Sequence, residues 1–223
     1  MTLRLPSRRL RAVYRRMLAC YGPQHWWPAR TRFEVLVGAV LTQNTAWTHV
    51  ERAIANLREA GALEPAALLA LPENRLATLL RPSGYFNVKA VRLRSLCAWY
   101  VEQGRHARLR HWPTGRLRHA LLGLHGVGPE TADDILLYAF DRPVFVIDAY
   151  TRRLFARLGM IEGREPYEAL RAACEGALGA DAQLFNEYHA LIVQHAKAHC
   201  RPRPRCVGCC LCTLCPSGRA EGA

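Results

Sequence analysis

The sequence predicts an all-α protein, and three observations carry the prediction. Apolar residues recur at three- and four-residue intervals along nearly the whole chain, the spacing of one helix face. Alternating apolar and polar runs, which half-buried strands require, are absent, and no internal repeat is visible. Helix starts and stops are marked by Ser, Thr, Pro and Gly at the edges of the apolar stripes.

Taken in order, Ser7 is expected to cap a first helix carrying Leu10, Val13, Tyr14 and Met17. A Trp- and Pro-rich loop, Gly22 to Arg30, follows. Thr31 then caps a strongly apolar helix from Phe33 to Leu41, which reads as a core helix. Val50, Ile54 and Leu57 mark the next helix, with Gly61 near its end. Short helices over Pro65–Leu71 and Glu73–Leu80 stop at the Arg81-Pro82-Ser83-Gly84 breaker. Val88, Val91, Leu96 and Trp99/Tyr100 form another stripe. Later helices are expected over Thr114–Leu122, Pro129–Phe140, Ile147–Leu158, Pro166–Leu178 and Ala182–His199.

Composition narrows the function. The chain has 223 residues, half of them hydrophobic, which suits a folded protein with a sizeable core and excludes wholesale disorder. Its 31 Lys+Arg against 18 Asp+Glu leave a formal charge of +13. The arginines are spread along the chain, so the folded body itself is basic and attracts polyanions, chiefly nucleic acid. An acidic membrane surface fits less well, because no long basic amphipathic helix with a strongly apolar face is evident. No apolar run reaches membrane-span length, and the Arg-rich segment Met1–Arg16 lacks the apolar core of a secretory signal. A cytoplasmic, nucleoid-associated monomer is therefore expected.

Six of the nine cysteines, Cys200, Cys206, Cys209, Cys210, Cys212 and Cys215, fall in the last 24 residues. Disulfides would knit across the fold, and nothing signals export, so a metal centre is the better reading. Cys20, Cys97 and Cys174 stand alone in helical segments and are expected to be buried small hydrophobes.

The most informative stretch runs from Leu121 to Ala132. It sets a helix, a tight Gly126-Val127-Gly128 turn, and Pro129 at a favourable first helical position, followed by Glu130 and Thr131. Glycines let the backbone approach a phosphate, and free N–H groups at the new helix start point at the anion. Such a turn positions a DNA backbone without reading bases; a plain helical hairpin is the alternative. Asp148 closes an apolar run at the start of a later helix. It could be only an N-cap; lying 20 residues after Gly128, it could also face the strand the hairpin holds.

These features together resemble the helix-hairpin-helix DNA glycosylases of the endonuclease III superfamily. The resemblance covers Phe33 to Cys215 and rests on Leu124-His125-Gly126-Val127-Gly128 with Ala132, on Val146-Ile147-Asp148, and on the C-terminal cysteines. It implies a two-lobed helix-hairpin-helix (HhH-GPD) fold. The expected parts are an N-terminal helix and Trp-rich loop, 1–32, packed with the C-terminal lobe; a helical lobe, 33–145, with the hairpin at 117–140; the rest of the second lobe, 146–199; a cluster loop, 200–215; and a tail, 216–223. The hairpin and Asp148 are expected to flank a cleft between the lobes.

The resemblance makes Asp148 the catalytic carboxylate, stabilising an oxocarbenium-like sugar as a flipped base departs. The bifunctional members carry a Schiff-base lysine two residues after the second hairpin glycine; here that residue is Glu130, which cannot form an imine. A monofunctional, hydrolytic enzyme is implied. Gln43, in Leu41-Thr42-Gln43-Asn44-Thr45, matches the residue that fills the space left by the flipped nucleotide. Tyr85, in Gly84-Tyr85-Phe86-Asn87-Val88-Lys89-Ala90, matches the wedge beside the orphan base; inward packing is the alternative. Trp26-Trp27-Pro28 with Trp47 resembles the 3-methyladenine DNA glycosylase III branch, whose aromatics sandwich an alkylated, cationic purine. Gly126, Val127, Gly128 and Thr131 are then the hairpin's DNA contacts.

The family holds a [4Fe–4S] cluster on Cys-x6-Cys-x2-Cys-x5-Cys. Cys200, Cys206, Cys209 and Cys215 match it with one residue fewer in the first gap. Cys210 and Cys212 are surplus, and either could replace a neighbour; structural zinc is the alternative cofactor. Arg201, Arg203 and Arg205, on a Pro-stiffened loop, are expected to face phosphates, or else to form a solvated linker. The expected partner is double-stranded DNA containing damaged bases. Two alternatives stand beside the main reading: an endonuclease III-like glycosylase and lyase acting on oxidised pyrimidines or uracil, and a non-catalytic helix-hairpin-helix DNA-binding module.

Overall fold

In the computed structural model, residues 3–218 are described, and no strand forms among them. Of the expected tail, residues 219–223 lie outside the described residues, as do Met1 and Thr2. The helices are α1 (Ser7–Tyr21), α2 (Arg32–Leu41), α3 (Trp47–Glu59), α4 (Pro65–Ala70), α5 (Glu73–Leu80), α6 (Phe86–Glu102), α7 (Arg105–Leu109), α8 (Thr114–Leu122), α9 (Pro129–Asp134), α10 (Ala149–Arg157), α11 (Tyr167–Leu178) and α12 (Ala182–Ala198). They fall into two compact units, one within Met1–Trp26 and Pro143–Ala223, the other Trp27–Arg142.

In the 27–142 unit, α2 is the core helix its composition predicts. Every residue from Phe33 to Leu41 is buried, and α3, α6, α9 and the segment after α9 pack on it. Thr31 caps it, its hydroxyl accepting the Glu34 N–H at 3.1 Å. Glu34 is buried, and Arg58 at 2.7 Å supplies its counter-charge, because an unpaired carboxylate there would be costly.

The other unit packs α1 and α11 together, with α12 against both α1 and α10. Phe145, Phe155, Phe185 and Tyr188 form its aromatic centre. The buried Tyr188 hydroxyl donates to Leu10 O at 2.9 Å, tying the N-terminal helix to the C-terminal one. Val144–Ile147 is a buried run outside any helix that delivers Asp148 to the start of α10.

Four expectations need correction. Ser7 is the first helical residue, Pro6 is the N-cap, and no side chain caps α1; Pro6 O accepts the Arg9 and Leu10 N–H groups instead. Cys20 is exposed although it continues the Leu10/Val13/Met17 stripe, because it stands in the last turn of α1, next to the helix end at Tyr21, while Cys97 and Cys174 are buried. Burial pushes the Cys97 thiol up to about 12 and the Cys174 thiol higher still. Helix α7 was not expected; five residues are too few to show a stripe. The Pro129–Phe140 helix is α-helical only to Asp134, and Ile135–Ala139 widens into a π-helix. Arg32 holds that end, donating to Tyr138 O at 3.0 Å and pairing with Asp141 at 2.7 Å. Such a partner, 109 residues away, is invisible to local periodicity.

Candidate functional site

The hairpin is built from α8, a turn and α9. Gly126 has φ 80°, a left-handed value that favours glycine, and a Cβ there would strike the Arg92 side chain. Gly128 is the extended N-cap of α9, with open space where a Cβ would lie. Pro129 occupies the first helical position, as expected. The two helices are locked by a two-pronged ion pair: Arg118 Nε to Asp133 Oδ1 at 2.7 Å and Nη2 to Oδ2 at 3.1 Å. Asp133 is fully buried. Val127 and Thr131 are also buried, the Val127 N–H donating to Leu124 O at 3.1 Å and the Thr131 hydroxyl accepting from Gln43. Glu130 is exposed on the first turn of α9, where a negative charge is favoured.

Gln43 lies just past α2 and is brought onto this turn. Its Nε2 donates to Gly126 O at 2.9 Å and Thr131 Oγ1 at 3.0 Å, while its Oε1 accepts from Arg92 at 2.6 Å. Tyr85 is 72% exposed, which removes inward packing as its role. It sits at φ 45° between Gly84 and α6, a left-handed conformation that is strained for an aromatic residue.

The tryptophans divide. Trp27 meets Trp47 edge-on with ring centroids 5.3 Å apart, and Tyr138 from the π-helical turn lies 5.1 Å away on a tilted ring. Gly38 makes room for this group, since a Cβ there would lie 2.9 Å from Trp27 Cζ2. Trp26 is half-buried and belongs to the other unit.

Asp148 is the N-cap of α10, so the capping reading is correct for one of its oxygens: Oδ1 accepts the Thr151 N–H at 2.6 Å. The other, Oδ2, faces His189 Nε2 of α12 at 3.4 Å. The side chains are 11% and 7% exposed. Burial pulls the Asp148 carboxyl up, but His189, as donor and charge, and the Thr151 N–H outweigh it and hold the group below its ordinary value. A carboxylate is thus kept ionised with little water around it.

Cys200, Cys206, Cys209 and Cys215 line one pocket with Leu154, His195 and Leu211, and the surplus Cys210 and Cys212 are not in its wall. Arg157 donates to Cys200 Sγ at 3.2 Å and to Arg201 O and Pro202 O at 2.6 and 2.8 Å; Arg153 donates to Cys200 O at 2.7 Å. Two arginines of α10, the helix that Asp148 opens, therefore brace the cysteine loop. Among the described residues no three His, Cys, Asp or Glu side chains are grouped to hold a single metal ion. Arg201, Arg203 and Arg205 are all exposed.

Four neighbours of these residues escaped the sequence reading: His189, Arg92, Tyr138 and Lys89. Nothing local marks the first three, which reach their partners across 41, 49 and 111 residues. Lys89 did carry a signal. With only Lys89 and Lys197 among 31 basic residues, the chain otherwise uses arginine.

An all-helical fold with a glycine hairpin and an aspartate-capped helix agrees with the helix-hairpin-helix class that the sequence resembles. The match to the HhH-GPD superfamily of base excision DNA repair proteins spans residues 37–179, and the chain belongs to that family. It is 46% identical, over 92% of its length and 94% of the relative's, to a candidate DNA repair glycosylase of Methanocaldococcus jannaschii. It is 33% identical to endonuclease III of Treponema pallidum, over 95% and 96% of the two chains. Among solved structures it resembles the H. pylori 3-methyladenine DNA glycosylase bound to 1,N6-ethenoadenine, with TM-score 0.75, 31% identity, and 87% and 98% of the chains covered. A non-covalent endonuclease III–DNA complex shares the fold at TM-score 0.82 and 23% identity, over 97% and 98%. The chain is a base excision repair DNA glycosylase of this superfamily.

Proposed function

We propose that the protein is a monofunctional DNA glycosylase that flips alkylated, 3-methyladenine-like purines out of duplex DNA and releases them by hydrolysis. The observation that carries this reading is Asp148, a carboxylate nearly withdrawn from water and held ionised by His189 and Thr151. As the glycosidic C–N bond breaks, the base leaves with the electron pair and positive charge grows on the sugar. A fixed negative charge beside it lowers that barrier, and more so where water is scarce. Water then adds to the anomeric carbon and loses a proton, leaving an abasic site. Asp148 orients that water and stabilises the cation; Glu130, having no amine, offers no imine route to strand cleavage.

The other assignments follow. Gly126, Val127, Gly128 and Thr131 form the turn that meets a phosphate, the Val127 N–H being used within the turn by Leu124 O, and Arg201, Arg203 and Arg205 add positive charge. Gln43 and Tyr85 fill the duplex around the extruded nucleotide. Trp27 and Trp47, with Tyr138 behind them and Trp26 as a further candidate, supply π-faces for a cationic base. Relation to a 3-methyladenine glycosylase supports this substrate class.

Cys200, Cys206, Cys209 and Cys215 would hold a [4Fe–4S] cluster, which when bound supplies a rigid cross-link for the basic loop. Four thiols around one pocket, at nearly the family's spacing, support a cluster, with structural zinc as the alternative. Zinc needs all four sulfurs about 2.3 Å from one point, whereas a cluster spreads its thiolates over separate irons.

The test is base release from duplexes carrying alkylated purines, oxidised pyrimidines or uracil, with Asp148→Asn in parallel. Release of alkylated purines, lost in the variant and giving no borohydride-trapped adduct, is expected. Efficient trapping would overturn the monofunctional reading, and release of other bases alone would overturn the substrate.

A further inference from the structure

Lys89 is 1% exposed, among the most completely buried large side chains of the molecule. Its ammonium has three donors, and each is used: Leu41 O at 2.8 Å, Ser83 O at 2.7 Å and Thr45 Oγ1 at 2.6 Å. All three acceptors are neutral. Thr45 passes the connection on, donating to Ser83 O at 2.6 Å, with Gln43 O 3.1 Å away. Ser83 Oγ in turn donates to Leu80 O at 2.8 Å.

These partners come from two loops. Leu41 O and Thr45 bracket Gln43, and Ser83 O lies two residues before Tyr85. Both loops hold a non-glycine residue in the left-handed region, Asn44 at φ 52° and Tyr85 at φ 45°, a conformation that persists only when its surroundings over-determine it. Burying an ammonium among neutral oxygens is a poor way to gain stability, since desolvation opposes it. Burial, with Arg92 adding to it, lowers the lysine to about 8. A guanidinium, flat and forked, could not reach three oxygens from one point as a compact ammonium does. That explains lysine here in a chain that has 29 arginines among its 31 basic residues.

We propose that Lys89 is a positioning residue, whose buried ammonium locks the Gln43 loop to the Tyr85 turn so that the two enter the duplex as one rigid, two-pronged probe. The proposal deepens the base-flipping reading and rests on it. A flipped nucleotide leaves one gap and one orphan base, so the spacing of the two prongs must match a stacked step. A misplacement of about 1 Å can cost on the order of a hundredfold in rate.

The experiment uses the full-length protein and three variants, Lys89→Met, Thr45→Val and Thr45→Ser, each checked for folding by circular dichroism. Two readouts are taken: single-turnover base release from the lesion the wild type processes, and the fluorescence of 2-aminopurine opposite a stable abasic analogue, which brightens when the base is unstacked. Lys89→Met and Thr45→Val are expected to lose about tenfold or more in release and most of the brightening, with affinity for undamaged duplex unchanged. Thr45→Ser, which keeps the hydroxyl, should recover both. Wild-type release and brightening in folded Lys89→Met would overturn the proposal, as would a loss matched by equal loss of undamaged-duplex affinity. Should Lys89→Met fail to fold, Thr45→Val against Thr45→Ser decides in the same terms. Were the wild type to release no base, the glycosylase reading would fall, and fluorescence alone would judge Lys89. Brightening that Lys89→Met abolishes supports the lock; brightening that it retains, or none in the wild type, overturns it.

Discussion

Replacing His189 with Leu tests the electrostatic design of the site. His189 Nε2 stands 3.4 Å from Asp148 Oδ2, and both side chains are nearly buried. At 3.4 Å this is an ion-pair contact rather than a well-directed hydrogen bond; taking a partner from a buried acceptor costs about 1–3 kcal/mol, and the long contact argues for the lower half. Leucine cannot donate, so Asp148 keeps the Thr151 N–H at 2.6 Å but loses its partner on the other oxygen. At neutral pH the variant should be less stable by about 1–2 kcal/mol, a fall in Tm of roughly 2–8 °C for a chain of this size.

The pH dependence carries the sharper expectation. In the native protein the Asp148 carboxyl titrates below its ordinary value of 3.8. The unfolded chain then binds the proton first, so this stability is complete above 3.8 and is lost as pH falls through the lower folded value. With His189 gone, burial is less opposed and the folded value rises. The acid limb of base release must therefore move to higher pH, and His189→Gln, which restores a donor, should move it part of the way back. The assay is single-turnover release across an acid-to-neutral series on the lesion the wild type processes. An acid limb that stays in place in folded His189→Leu would refute the coupling, and with it the role given to Asp148.

Three further outcomes follow from the geometry. Gly38→Ala puts a Cβ 2.9 Å from Trp27 Cζ2; overpacking should cost about 1–3 kcal/mol and lower base release more than duplex affinity, as stopped assays and titrations would show. Arg118→Met removes the two-pronged partner of the buried Asp133 carboxylate; stability should fall by about 1–3 kcal/mol, and an unchanged denaturation midpoint would contradict the hairpin lock. Cys209→Ser should bleach the brown colour and visible absorbance expected of the cluster and weaken DNA binding through the Arg201–Arg205 loop, whereas Cys210→Ser, outside the pocket wall, should keep the colour. A colourless, zinc-loaded native protein would overturn the cluster.

The elements were legible because each is a local matter of periodicity and punctuation. Thr31 before an apolar run makes a capped core helix, and Gly126, Gly128 and Pro129 make the turn. Tyr85 in a motif after a breaker is indeed exposed. Errors had both local and distant causes: Pro6 rather than Ser7 caps α1, and α7 is too short to show a stripe. Arg32 holds the widened turn after Asp134, and Cys20, on the stripe but next to the end of α1, is left exposed.

For chemistry the division is sharper. The amino-acid order alone marked Asp148, the hairpin glycines, the tryptophans and the cysteines, since each is a residue type that chemistry demands at a readable spacing. It could show neither that Asp148 is at once cap and ionised carboxylate, nor that Gln43 is seated on the hairpin turn by Arg92 and Gly126. Hydrogen bonds and burial are properties of distance in space, and the partners lie 41 to 83 residues apart. Only the tertiary structure, by folding α12 against α10 and α6 beside the end of α2, places His189 on Asp148 and one lysine beneath both probes.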